Sequence, residues 1–223
     1  MKLTPELLLR AYAIGIFPMA ESRRSAEVRW IEPQYRGLLP LDGFHVPRRL
    51  KRTLRQGLYE IRCDTAFPQV VALCAAPRPG RRDTWINPLI EHLYRGLFDM
   101  GFAHSVEAWH EGRLAGGLYG VSLGGAFFGE SMFSLERDAS KVALAHLVLR
   151  LKQGGFALLD TQFETPHLAQ FGVTEVHRDD YRKLLAEAIA TPARFPAGPL
   201  QEGELEAFLT NLSQGERSER SEG

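Results

Sequence analysis

Residues 103–134 read AHSVEAWHEGRLAGGLYGVSLGGAFFGESMFS. Two turn signals, HEGR (110–113) and SLGG (122–125), cut this stretch into three runs of strand length. An antiparallel meander is the expectation. The Gly pairs 116–117 and 124–125 read as strand bends and turns, not as a dinucleotide fingerprint. Working outward, Asn87-Pro88 starts a helix that Gly101 stops. Further upstream, Leu58–Asp64 alternates like a strand. Asp64–Ala76 reads as a helix capped by Asp64 or Thr65, and APRPGRRDT (76–84) as a loop. Downstream, Asp138 or Ser140 caps a helix over KVALAHLVLRLKQ (141–153), closed by Gly154-Gly155. FALLDTQF (156–163) is a short strand, TPHLAQFG (165–172) a short helix, and Asp179–Ile189 a further helix.

The N-terminal part is different. Thr4 and Pro5 start a helix over residues 4–14, ended by Gly15 and Pro18. Residues 28–42 are irregular or briefly extended. PRRLKRTLRQG (47–57) is a short helix. With 223 residues, 44% hydrophobic, the chain can fill one main core beside a small domain. The expected division is a small N-terminal domain over 1–57, a main domain over 58–192, and an acidic, poorly ordered tail over 193–223. GERSERSEG (215–223) is expected to be disordered.

Composition excludes several classes. No apolar run approaches the roughly 20 residues that span a bilayer. The first 19 residues, broken by Glu6, Arg10 and Pro18, do not read as a signal peptide. Cys63 and Cys74 form no CxxC pair, so neither zinc nor a disulfide framework is expected. The His residues show no ligand spacing, and His104 reads as structural. The cytoplasm is the expected compartment, without metal or cofactor. Net charge is zero but uneven: the tail from Gln201 has six Glu against two Arg, and residues 1–60 have eleven Lys/Arg against six Asp/Glu. Arg48, Arg49, Lys51, Arg52 and Arg55 crowd one short helix. They form either a solvated face or a phosphate-binding track that Arg81 and Arg82 extend.

From Leu58 the element order is β–α–α–β–β–β–α–β–α. That order resembles the fold of the GCN5-related N-acetyltransferases. It gives an α+β class with a mixed, largely antiparallel sheet. Four segments are more specific: AIGIFPM (13–19), TWI (84–86), GFAHSVEAW (101–109) running into GGLYGVSLGGAFFGESMFS (116–134), and LLDTQF (158–163). In this order they resemble the leucyl/phenylalanyl-tRNA–protein transferases, over roughly residues 7–185. The resemblance implies a small N-terminal domain followed by an acetyltransferase-like domain. It also implies a Leu-, Phe- or Met-charged tRNA as donor and a protein beginning with Arg or Lys as acceptor. The product is a destabilising N-terminus read by bacterial proteolysis, and a monomer is expected.

The residues carry two readings each. By pattern alone Glu130 is an exposed or ion-paired carboxylate. The resemblance puts it beside the aminoacyl adenosine, with Gly129 next to it. Met132, Phe127, Leu118 and Leu159 then line an apolar pocket. Strict alternation sets Phe127 and Glu130 on opposite faces, which a bulge or a splayed strand would reconcile. Asp160 and Gln162 share a strand face. They either cap the next turn or converge on the reacting amine, where Asp160 promotes proton removal. Trp85 is either core or a stacking platform for adenosine, with Tyr94 bordering the site. Ile31 in Trp30-Ile31-Glu32-Pro33 holds a place where relatives carry a second aromatic. Asn87 stands where Ser or Thr is common, and Leu118 where Met occurs. An acetyl-CoA enzyme is the first alternative, but SLERDASKVALAH (134–146) lacks a pyrophosphate-binding glycine turn. A non-catalytic RNA-binding protein is the second.

Overall fold

Local signals set the helix starts. In the computed structural model, which describes residues 3–78, 80 and 82–221, Thr4 Oγ1 accepts the Leu7 amide at 3.3 Å and opens α1 (Pro5–Ala13). β1 (Phe17–Ala20) and β2 (Val28–Ile31) then form a separate antiparallel ribbon. β3 (Tyr35–Leu38) and α2 (Arg48–Gln56) follow, and Gly57 ends α2 at φ 60°. Next come β4 (Glu60–Cys63), α3 (Phe67–Ala75) and α4 (Pro88–Asp99). Asn87 Oδ1 caps α4 on the Ile90 amide at 2.8 Å. The meander is β5 (Ala103–His110), β6 (Arg113–Leu123) and β7 (Ala126–Ser134), with both turns where the sequence placed them. The chain closes with α5 (Ala139–Gln153), β8 (Leu158–Gln162), α6 (Pro166–Ala169), β9 (Thr174–His177), α7 (Arg178–Ala190) and α8 (Glu204–Ser221).

The main sheet runs β4-β5-β6-β7-β8-β3-β9, and only β7 and β8 pair in parallel. The class is therefore α+β with a mixed, mostly antiparallel sheet. One core lies between the sheet and α5. The other lies between the sheet and α1, α3, α4 and α7. Among the described residues no helix is long and apolar enough to cross a membrane.

Four expectations need correction. First, β3 lies in the main sheet between β8 and β9, and α2 packs on α5, so residues 35–57 build the main body rather than a small domain. Second, neither Asp64 nor Thr65 caps α3. The helix has no side-chain cap; buried Glu107 instead holds the turn before it, accepting the amides of Thr65 at 3.0 Å and Ala66 at 2.7 Å. Third, Asp138 makes no side-chain cap on α5; Ser134 Oγ instead accepts the Ser140 amide at 3.1 Å.

Fourth, the tail is docked, not loose. Phe195, Phe208, Leu209 and Leu212 are buried in the α5-side core. The last three recur at helical spacing inside a Glu-rich stretch, so composition concealed an amphipathic helix. Arg150 Nη1 donates to Pro196 O and Gly198 O and straps the connection down. Of residues 215–223, the backbone is helical to Ser221. Their side chains, and residues 222–223, lie outside the described residues.

A bulge is present at Glu130. Tyr119 pairs with Ser131 and Gly120 with Gly129, which leaves Glu130 unmatched. Phe127 and Met132 consequently share the α5-side core, while Phe128 and Phe133 belong to the other. Gly120 makes the bulge possible: a Cβ there would lie 2.3 Å from Phe128 O and 2.4 Å from the Phe127 ring. Gly120→Ala is expected to destabilise by about 1–3 kcal/mol through overpacking. A urea midpoint equal to that of the unsubstituted chain would show that the crowding is relieved without cost.

Candidate functional site

β7 and β8 pair only over Ala126–Phe128 and Leu158–Asp160. Beyond those residues the strands separate, and a cavity of about 530 Å³ opens between Gly129–Met132 on one side and Leu159–Phe163 on the other. Leu118, Met132, Leu144, Leu147 and Leu159 make its apolar wall. Met19, Trp85 and Phe163 border it, and Glu130 and Gln162 form its polar end.

Glu130 is the chemically unusual group. It is 8% exposed, and no cation pairs with it among the described residues. Oε1 accepts from Tyr12 Oη at 2.5 Å and from Gln162 Nε2 at 2.9 Å, and Oε2 accepts from Tyr94 Oη at 2.6 Å. Burial pushes its carboxyl up to about 7, although the three hydrogen bonds favour the anion and offset part of that rise. Burial holds the hydroxyls of Tyr12 and Tyr94 well above the usual phenol range, so both remain donors. The result is a carboxyl that gains or loses a proton near neutrality inside an apolar cavity.

Asp160 has a different environment from the one expected. It is fully buried and absent from the cavity wall. Arg36 Nε donates to both its oxygens at 2.9 Å, Tyr181 Oη donates to Oδ2 at 2.6 Å, and the Gln162 amide donates to Oδ1 at 2.7 Å. Arg36 is itself 1% exposed and donates to Gly15 O at 2.9 Å. With its acceptor sites taken by the fold, Asp160 has no contact with the cavity. Its side chain therefore does not lie at the expected place, against a bound group in the cavity. The expected convergence of Asp160 and Gln162 also fails, because Gln162 has φ 65° and leaves strand alternation. The Asp160–amide bond holds that turn, which delivers Gln162 Nε2 to Glu130.

Other residues distribute as follows. Trp85 and Gly129 line the cavity. Tyr94 is completely buried behind Glu130 and meets Trp85 edge-on, with centroids 6.5 Å apart. Phe127 is corrected from wall to support: it is fully buried and packs on Phe156 and Phe195. Ile31 pairs with Phe17 in the N-terminal ribbon and is not on the cavity wall. Arg48, Arg49 and Arg52 are exposed along α2, and Lys51 is half-buried. Arg55 is held by Glu206 of α8 at 3.0 and 2.7 Å. Arg82 is exposed; Arg81 lies outside the described residues. His104 bonds Asp64 at 2.8 Å and stacks on Phe195, a structural setting. Cys63 and Cys74 are buried and form no disulfide, and burial pushes the Cys63 thiol up to about 12.

Sequence reasoning missed Tyr12, Arg36, Tyr181, Leu144 and Leu147. Tyr12 carried a weak signal, since it lies four residues after Leu8 on the buried face of α1. Arg36 sits in a stretch read as irregular and carried none.

The comparisons agree with this architecture. Residues 1–34 match the leucyl/phenylalanyl-tRNA protein transferase N-terminal domain, and residues 38–186 match the leucyl/phenylalanyl-tRNA protein transferase model. The junction falls at β3, where the chain enters the main sheet. The chain is 61% identical over 192 residues to the leucyl/phenylalanyl-tRNA–protein transferase of Caulobacter vibrioides (strain NA1000 / CB15N), covering 86% of this chain and 88% of that one. It is 58% identical over 200 residues to the same enzyme of Rhodopseudomonas palustris (strain BisB18), covering 90% and 87%. The protein is thus an aminoacyltransferase. It belongs to the leucyl/phenylalanyl-tRNA–protein transferase family.

Proposed function

We propose that this chain transfers Leu, Phe or Met from aminoacyl-tRNA to the N-terminal Arg or Lys of proteins and so marks them for degradation. It works in the cytoplasm, as a monomer and without a cofactor. The observation that carries the reading is the apolar cavity ending on Glu130 and Gln162, in a chain about 60% identical to transferases of that name. The short parallel contact between β7 and β8, and the wedge beyond it, support an acetyltransferase-like reading of the main body.

The donor is already activated as an ester, so no covalent intermediate is needed. The amine must lose a proton, attack the carbonyl carbon and expel the ribose oxygen. The terminal adenosine stacks on Trp85, which contributes roughly 1–3 kcal/mol. The amino-acid side chain enters between Leu118, Met132, Leu144, Leu147 and Leu159, and Met132 adapts to Leu, Met or Phe. Phe127 stiffens the strand from beneath. Glu130, as carboxylate, orients the incoming amine and accepts its proton. Gln162 holds that carboxylate, and Asp160 holds Gln162 through its backbone amide. Arg48, Arg49, Lys51, Arg52 and Arg55, with Arg81 and Arg82, contact phosphates of the tRNA.

The test is transfer of radiolabelled leucine and phenylalanine from charged tRNA to a peptide beginning with Arg, with labelled acetyl-CoA in parallel. Label from tRNA alone is expected. Label from acetyl-CoA alone would replace this reading with an acetyltransferase. The wall also predicts donor selectivity. A charged side chain there would be desolvated without a partner, so Arg-tRNA and Asp-tRNA are expected to transfer at least about 100-fold more slowly than Leu-tRNA. Efficient transfer from either would remove the apolar-pocket assignment.

A further inference from the structure

A second, wider cavity of about 1010 Å³ lies on the other side of the Trp85 segment, lined by Arg23, Arg24, Arg82, Asp83, Thr84 and Asn87 among others. Several of its lining residues are chain neighbours of those that border the first cavity. Met19 and Trp85 border the first, while the residues that follow Met19 and flank Trp85 border the second. Hydrogen bonds join these segments, among them the Ala20 amide to Trp85 O at 3.1 Å, the Arg23 amide to Asp83 Oδ1 at 3.0 Å and Asn87 Nδ2 to Ser25 O at 2.9 Å.

The charges of this groove are not balanced. Arg23 is committed to Glu91 at 2.7 Å and to Ile86 O at 3.0 Å. Arg24 and Arg82 are exposed and make no hydrogen bond or ion pair with the described residues. Asp83, the carboxylate among the lining residues, accepts the amides of Arg23 and Thr84 and also feels the charge of Arg24, so it offsets one of these two exposed cations and leaves the wall net positive. Proline and leucine surface beside these cations, from Pro77, Pro88 and Leu89, offers flat apolar area for ribose and base.

We infer that this groove is the subsite for the single-stranded 3′ end of the donor tRNA, with Arg24 and Arg82 on the phosphodiesters that precede the terminal adenosine. The inference rests on the proposed function, which puts that adenosine at Trp85. Charge selects the occupant: the donor strand is a polyanion, whereas the acceptor begins with a cationic residue that this groove repels.

The experiment compares two donors in the Arg24→Ala/Arg82→Ala variant. One is phenylalanyl-tRNA; the other is phenylalanyl adenosine, which has no phosphate. For the tRNA, kcat/KM at low salt is expected to fall about 10-fold. The slope of log affinity against log salt should shrink by about 1.4, roughly 0.7 for each single-strand phosphate lost. For phenylalanyl adenosine, kcat/KM is expected to stay within about twofold. Equal losses with both donors would mean that the arginines only shape the site, and would overturn the inference. So would an unchanged value with tRNA, or a raised KM confined to the acceptor peptide. Transfer from neither donor by the unsubstituted chain would overturn the proposed function and this subsite together. A variant that matches an active unsubstituted chain would overturn the subsite, and with it the Arg82 phosphate contact, but leave the transfer reaction standing.

Discussion

Glu130→Gln is expected to lower kcat/KM by about 10²–10⁴, the range for loss of a positioned acid–base group. The substitution keeps the shape and allows the bond from Gln162 to reorganise, but removes the proton acceptor. The pH profile separates this from a packing defect. With its carboxyl raised to about 7, Glu130 is the working anion only above that pH, so the rate should climb through about pH 7. The acceptor's own amine titrates near 7.7–8 in both proteins. The variant should retain that limb and lose the one near 7.

Stability provides an independent readout of the same group. Folding raises the Glu130 carboxyl from 4.5 to about 7, so the folded state holds the proton more tightly. Its stabilising contribution is complete below about pH 4.5 and is lost as pH rises through about 7. By linkage the loss amounts to roughly 3 kcal/mol, and the Gln variant should lack it. Parallel stability curves for the two proteins over that window would show that burial does not perturb Glu130, and the assignment as base would fail with it.

Arg36→Met is expected to destabilise the protein by about 3–5 kcal/mol, because it strands a fully buried Asp160 without its cation. Arg36 also ties distant segments together. Its guanidinium carbon is 4.6 Å from the ring centroids of Phe17 and of Tyr181, and Nη1 reaches Gly15 O. Adding Asp160→Asn should restore part of the loss, since the second change removes the uncompensated charge. Urea unfolding of the single and double variants decides it. A single variant within about 1 kcal/mol of the original would mean that the Arg36–Asp160 pair does not hold the fold together.

Elements with complete local instructions were legible from sequence. Asn87-Pro88, Thr4-Pro5 and Gly57 each fixed a helix end by their own geometry. The HEGR and SLGG turns fixed the meander. Glu130 and Gln162, singled out in the sequence, do meet at the cavity, and a bulge, one of the two irregularities considered there, lies at Glu130 without bringing Phe127 to the wall. The docking of α8 was not, because Glu-rich composition hid the spacing of Phe208, Leu209 and Leu212. The expected caps of α3 and α5 failed because of residues on other elements: Glu107 holds the turn before α3, which has no side-chain cap, and Ser134 accepts the Ser140 amide of α5.

Asp160 marks the boundary between the two kinds of knowledge. Its strand, its neighbours and its presence in a D-x-Q triplet are sequence properties. Its burial depends on Arg36, 124 residues away, and on Tyr181, 21 residues on. The pairing of Glu130 with Tyr12 spans 118 residues. By itself, then, the sequence determined the meander, the helix starts at Thr4-Pro5 and Asn87-Pro88, part of the apolar wall (Leu118, Met132 and Leu159) and the family. Only the tertiary structure decided which carboxyl faces the cavity. Helix ends and strand periods arise from interactions over three or four residues. The solvation and pairing of a carboxyl arise from whatever the whole chain packs around it.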